Sequence, residues 1–146
     1  MTTKTMTSTE AIARLTSRPP VGASKLLSSV PLEIDAARGF ARMSYLGKPE
    51  FCDQHGMVQG GFLSAMMDEA MAIAATASKN FGHVVPTLGM KTSYFMGARP
   101  GPLIAEGMIR HAGARVIYLE GRLYDADGDL AATATATARL RKAAWL

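Results

Sequence analysis

The chain has 146 residues, 48% of them hydrophobic and 19% charged, which is enough apolar material for one core and too much for a disordered segment. Its formal net charge of +4 favours anionic partners, yet the Lys and Arg residues are scattered singly, without the cluster that nucleic-acid binding uses. A single cysteine, Cys52, excludes an internal disulfide and suits a reducing compartment, and it is expected to serve as a small buried hydrophobe.

Residues 1–18 are rich in Thr and Ser and contain no apolar segment of secretory type. Ser8-Thr9-Glu10 ahead of Ala11-Ile12-Ala13 predicts a short capped helix, closed by Pro19-Pro20. This segment reads as an arm, mobile or packed on the outside, in front of one domain over 19–146. A short strand is predicted over Leu32–Ile34, then a turn at Ala36-Ala37-Arg38. A second strand covers Gly39–Leu46, with Ala41, Met43 and Tyr45 on one face. Gly47–Val58 reads as a loop centred on Phe51-Cys52-Asp53-Gln54-His55-Gly56.

Gln59-Gly60-Gly61 opens a long helix that runs to about Ser78, since no Gly or Pro follows until Gly82. The run is rich in Ala and Met, strong helix formers. Its apolar residues, including Phe62, Leu63, Met66, Met67, Met71 and Ile73, lie nearly all the way round, which predicts burial. Asp68 and Glu69 interrupt it. They leave no run of about 18 apolar residues, so a membrane span is not expected and the cytoplasm is the expected location. A buried carboxylate without a partner is costly, so at least one of the two acids should have a task or a solvated pocket.

Gly61, Ser64, Ala65 and Asp68 fall on one face of this helix. The glycines leave the positive end of the helix open to close approach. The stretch thus offers an oxyanion-type site at Gly60-Gly61 and a carboxylate at Asp68, the two parts of an acyl-transfer site. A Gly-Gly turn with Asp68 facing water is the plain alternative. Eight residues separate the two groups by about 12 Å along the axis at ~1.5 Å per residue. One reacting carbon cannot touch both within one chain. Either two antiparallel helices share sites across a twofold axis, or only one group is functional.

Beyond Gly82 the period becomes two. Val85–Met96 alternates, with Leu88, Met90, Thr92 and Tyr94 on one face and Thr87, Gly89, Lys91 and Ser93 on the other. Ala98-Arg99-Pro100-Gly101-Pro102 and His111-Ala112-Gly113 read as turns around a strand over Leu103–Ile109. Arg115–Tyr124 and Leu130–Leu140 flank a hairpin signal at Asp125–Asp129. The last strand presents Ala132, Ala134, Ala136 and Ala138 on one face, which predicts close approach of the long helix. Four meander strands after one buried helix give an α+β class, an antiparallel sheet wrapped around that helix. His83 and His111 fall at turns, and His55-Gly56 sits in a loop, so surface and structural roles are expected. No His/Cys/Asp spacing points to a metal site.

These residues resemble the hotdog-fold acyl-CoA thioesterases of the phenylacetate-pathway type, over roughly Pro19 to Leu140. The matching pieces are Pro19-Pro20 with Leu26-Leu27, Phe51-Cys52, Val58-Gln59-Gly60-Gly61, Met67-Asp68, Thr87 and Tyr94, Arg99-Pro100-Gly101-Pro102 and Asp127-Gly128. The resemblance implies hydrolysis of an acyl-CoA thioester without a cofactor, by a homodimer or a dimer of dimers. It implies Asp68 as nucleophile or general base, the Gly60 N–H on the thioester carbonyl, and Thr87 holding the attacking water. Gln59 stands where many relatives have His. The family's loop Asn falls on Asp53. A protonated Asp53 or the neighbouring Gln54 would then supply the donor, and two carboxylates close together would raise the pKa of one. Gly61 and Ser64 are expected to line the substrate, with Arg99 and Arg115 as candidates for the coenzyme A phosphates. Glu69, about 100° round the helix from Asp68, is expected to be an ion-pair or interface acid. A non-catalytic acyl-CoA sensing module on the same fold is the alternative, and Asp53 is its best argument.

Overall fold

The computed structural model describes residues 3–144. In chain order the elements are α1 (Ser8–Leu15), α2 (Gly22–Leu26), β1 (Val30–Asp35), β2 (Phe40–Gly47), a 3-10 turn (Pro49–Phe51), α3 (Gly60–Ala77), β3 (His83–Val84), β4 (Thr87–Tyr94), β5 (Gly101–Ala112), β6 (Val116–Tyr124), β7 (Leu130–Arg139) and β8 (Arg141–Lys142). Six strands form one antiparallel sheet in the order β1-β2-β5-β6-β7-β4, and β3 pairs with β8 in a small ribbon. The sheet wraps the long helix α3, which is the hotdog arrangement. Among the described residues no helix is long and apolar enough to cross a membrane.

The helix seats most closely on β5 and β6 because two side chains are missing there. At Gly107 an added Cβ would overlap the Ala70 carbonyl oxygen of α3, and at Gly121 it would come within 3.2 Å of Met67 Cβ. The expected cause of the close approach was the alanine ladder of β7. Those alanines are buried, but α3 crosses the sheet over β2, β5 and β6, and it is the glycines that admit its backbone. Gly107→Ala should therefore cost about 3 kcal/mol or more, because a helix backbone has nowhere to retreat. Denaturant unfolding measures this, and a loss within about 0.5 kcal/mol, the range of an ordinary surface change, would contradict it.

Three expectations change. The helix is not buried all round: Leu63, Met66, Met67, Ala70, Met71 and Ala74 are buried, while Gly61, Ser64, Ala65 and Asp68 stay partly or fully open. One sheet covers only one side of a helix, and small residues such as Ala65 made the open side look apolar. The four-strand meander is a three-strand one, β5-β6-β7. β4 crosses to the far edge and pairs with β7, and β5 pairs with β2. Pro100-Gly101-Pro102 marks a break in the chain but carries no information on which strand lies alongside. Finally, β5 extends through His111 and Ala112, so the turn before β6 falls at residues 113–115.

The first 18 residues carry α1, whose capping box is made by Thr7 and Glu10, one residue earlier than the sequence suggested. The Glu10 N–H donates to Thr7 Oγ1 at 3.2 Å and the Thr7 N–H donates to Glu10 Oε2 at 2.8 Å. Ser8 is released for another role: its Oγ accepts from Ile34 N–H of β1. Ala11 is fully buried, and α1 lies against β1.

Candidate active site

The loop before α3 is built to deliver Asp53 to the helix N-terminus. Phe51 is buried and stacks on Phe62 of the first helical turn, ring centroids 4.2 Å apart. Its carbonyl accepts the Gln59 N–H at 2.9 Å. Val58 N–H bonds the Ala98 carbonyl at 2.8 Å, tying the loop to the strand connection that carries Arg99. Between these anchors Asp53 closes its own turn. Its Oδ1 accepts from the N–H groups of His55 at 2.8 Å and Met57 at 3.2 Å. Gln54 is exposed, with its amide nitrogen 3.3 Å from the His55 ring.

Gln59 is the N-cap residue of α3, in extended backbone, and its side chain makes no cap bond. Its carbonyl accepts the Phe62 N–H at 3.0 Å. Gly60 and Gly61 open the helix, so their N–H groups have no intrahelical acceptor. Gly61 has open space where a Cβ would be, whereas a Cβ on Gly60 would lie 2.8 Å from Cζ of Tyr94. A cavity of ≈ 540 Å³ at this end is lined by Asp53, His55, Gly60, Leu63, Tyr94 and Phe95 among others.

Asp68 lies two turns further on, half-buried on the open side of α3. The Thr87 hydroxyl of β4 donates to Asp68 Oδ1 at 2.7 Å. Since the hydroxyl proton is used on the carboxylate, the Thr87 oxygen keeps lone pairs for a further donor such as water. Regular alternation would put Thr87 and Tyr94, seven residues apart, on opposite faces of β4. Both nevertheless bond to α3, because the register slips between Thr87 and Gly89. A β-bulge at Leu88 turns Thr87 to the helix side. The expected grouping of Thr87 with Lys91 and Ser93 is corrected on this ground.

The middle of the helix is laced to β4 by hydroxyls. Ser64 Oγ lies 3.0 Å from Thr92 Oγ1 and gives its one proton to the Tyr94 hydroxyl, which in turn donates to the Gly60 carbonyl at 2.9 Å. Thr92 has no role in the sequence reading, and Tyr94 enters it only as one of the pieces that carry the resemblance.

Glu69 points to the other flank of the helix, where its Oε1 accepts from Ser29 Oγ at 2.7 Å. It forms no ion pair among the described residues. Beneath it lies Tyr45, whose hydroxyl pKa is pushed far above the usual range by burial, with Glu69 adding to the shift. Arg99 and Arg115 sit at opposite ends of the sheet. Arg99 follows Ala98 beside the start of α3. Arg115 lies in the β5–β6 turn, its carbonyl bonded to Leu140 N–H, near the Thr87 end of β4. An acidic trio, Asp125, Asp127 and Asp129, gathers in the β6–β7 turn. Asp125 Oδ1 accepts from both other N–H groups there, which accounts for the clustering.

In one chain, then, Asp53 and Gly60 share a cavity, and Asp68 pairs with Thr87 about 12 Å further along the helix axis. The thioesterase superfamily model matches residues 55–132. A phenylacetic acid degradation-related protein from Ralstonia eutropha JMP134 is 32% identical; the match covers 88% of this chain and 98% of that one, with a TM-score of 0.81. The Escherichia coli PaaI protein of the phenylacetic acid degradation operon shares the fold at 18% identity, covering 94% and 96% of the two chains with a TM-score of 0.79. A Saccharolobus solfataricus protein that carries an esterase name is 28% identical over 110 residues, 75% of this chain and 76% of that one.

Proposed function

The chain belongs to the thioesterase superfamily, and from that premise we propose that it hydrolyses an acyl-CoA thioester to the free acid and coenzyme A. The observation that carries the reading is the Asp68–Thr87 pair on the open side of α3 together with the free N–H groups of Gly60 and Gly61. Asp68 takes a proton from a water molecule that Thr87 helps hold. The water oxygen bonds to the thioester carbon, and the carbonyl oxygen gains negative charge. The Gly60 N–H stabilises that charge at the positive end of the helix. Collapse breaks the C–S bond and releases the thiolate, which recovers the proton from Asp68. Gln59 orients the loop, Gly61 and Ser64 border the acyl group, and Arg99 and Arg115 are assigned to the anionic nucleotide.

The two halves come from different chains in this reading. β4 is an edge strand, and Leu88 (60%), Tyr94 (50%), Phe95 (60%) and Met96 (42%) are exposed in or just after it. A second copy is the occupant that would cover this apolar edge and also bring its Asp68 to the first chain's Gly60. A homodimer, alone or paired as a tetramer, is the assembly proposed. Release of free thiol from a panel of acyl-CoAs tests the activity. No release from any member would favour the alternative, a sensing module.

Asp53 is the residue that favours that alternative, since a carboxylate stands where the resemblance has an amide. Both of its turn bonds use Oδ1 as acceptor. Asn keeps that acceptor and adds a donor in place of Oδ2. Asp53→Asn should therefore fold normally and raise turnover about tenfold or more, as expected for one added donor to the carbonyl. Unchanged turnover would put Asp53 outside the reacting centre, and Gln54 would be the next donor to examine.

A further inference from the structure

We infer that Tyr94 is a positioning residue that aims the Gly61 N–H, the second of the two N–H groups left open at the start of α3, an inference that rests on the thioesterase reading above. Three contacts carry it. The Tyr94 hydroxyl donates to the Gly60 carbonyl at 2.9 Å, the Ser64 hydroxyl bonds the same phenol oxygen, and the ring lies against Gly60, where a Cβ would come within 2.8 Å of Cζ.

The Gly60 carbonyl and the Gly61 N–H belong to one peptide plane. They point in opposite senses, so fixing the oxygen fixes the direction of the N–H. Two consecutive glycines are the most mobile start a helix can have. This peptide lies in the first turn of α3, where helix ends fray, and a donor whose direction wanders stabilises a transition state poorly. The phenol bond removes that freedom from outside the helix. It also draws electron density through the peptide and makes the N–H a stronger donor, since linked hydrogen bonds polarise one another. Ser64 and Thr92 hold the phenol in turn.

The same packing explains why position 60 is glycine although its backbone is helical. Any side chain there would meet the ring. Tyr94 is half-exposed and lines the cavity shared by Asp53 and Gly60. It is therefore placed beside the substrate space and not in the core, where a merely packing tyrosine would sit. Its hydroxyl is already occupied with Gly60 and Ser64, so it acts through the peptide and not on the reacting atoms.

Tyr94→Phe keeps the ring and removes the hydroxyl. With an acyl-CoA that the wild-type protein hydrolyses, kcat should fall about tenfold, less than the loss of a whole oxyanion donor. KM should stay within about twofold, because the contact is with the enzyme's own peptide. The Gly61 amide proton resonance should move upfield, as the peptide loses its polarising bond. An unchanged kcat and an unmoved Gly61 resonance in a folded variant would overturn the inference. A rise in KM at constant kcat would overturn it as well, since the hydroxyl would then be a substrate contact. If the Phe variant does not fold, 3-fluorotyrosine at position 94 keeps the ring and strengthens the donor. The Gly61 resonance should then move downfield, and no movement overturns the inference. A wild-type protein inactive on every thioester refutes the functional reading alone, because the amide resonance still decides the role of Tyr94.

Discussion

Asp68→Asn is expected to lower thioester turnover by about 10²-fold or more, the usual range for a general base being ~10²–10⁴. Asn has the same shape, and its Oδ1 can still accept the Thr87 hydroxyl that now bonds Asp68 at 2.7 Å. The helix, the bulge in β4 and the half-buried setting of residue 68 should all persist, so thermal stability should change little. What disappears is the ability to take a proton from water. The loss should appear in kcat and in kcat/KM alike, because the interaction matters in the transition state and not in binding. A folded Asp68→Asn protein with wild-type turnover would remove Asp68 from the mechanism.

The sequence carried the helix and its ends clearly. Gly60-Gly61 at the start, the absence of any Gly or Pro up to Gly82, and the Ala and Met content all agree on one long element. The strands were legible from their alternation, and Ala41, Met43 and Tyr45 are indeed the buried face of β2. Pairing was not legible. The chain signals that β4 ends near Tyr94, but nothing local says that it crosses to β7, because strand order depends on contacts distant in sequence. The bulge at Leu88 was hidden for a related reason. One inserted residue moves Thr87 to the helix side without altering the local propensity of Thr, Leu or Gly. Gly107 and Gly121 carry no local sign in the sequence that a helix seats on them.

At the site, Asp68 and Gly60 stand out in the sequence from the helix pattern, and Thr87 and Asp53 from the resemblance; Asp68 bonds Thr87, and Gly60 shares a cavity with Asp53. Tyr94 shows the limit of that reading. Its partner is a main-chain carbonyl, and main-chain partners leave no residue-type signal. Glu69 shows the reverse case, a charged residue that attracts attention in the sequence yet bonds to Ser29 on the flank away from Thr87.

In the proposed reading each reacting centre is assembled from two chains, with Gly60 of one and Asp68 of the other. Complementation between two inactive proteins tests it most directly. One carries Asp68→Asn and the other Gly60→Val, in which the added side chain overlaps the Tyr94 ring and blocks the helix N-terminus. Each alone should be close to inactive, since every site in either homodimer lacks one part. After subunit exchange, a mixed dimer holds one site with both mutations and one site with neither. An equimolar mixture should thus recover about a quarter of wild-type turnover, because half the dimers are mixed and each has one of two sites intact. Mixed dimers verified by mass and still inactive would contradict shared sites, and Gly60 and Asp68 would then have to serve different steps within one chain.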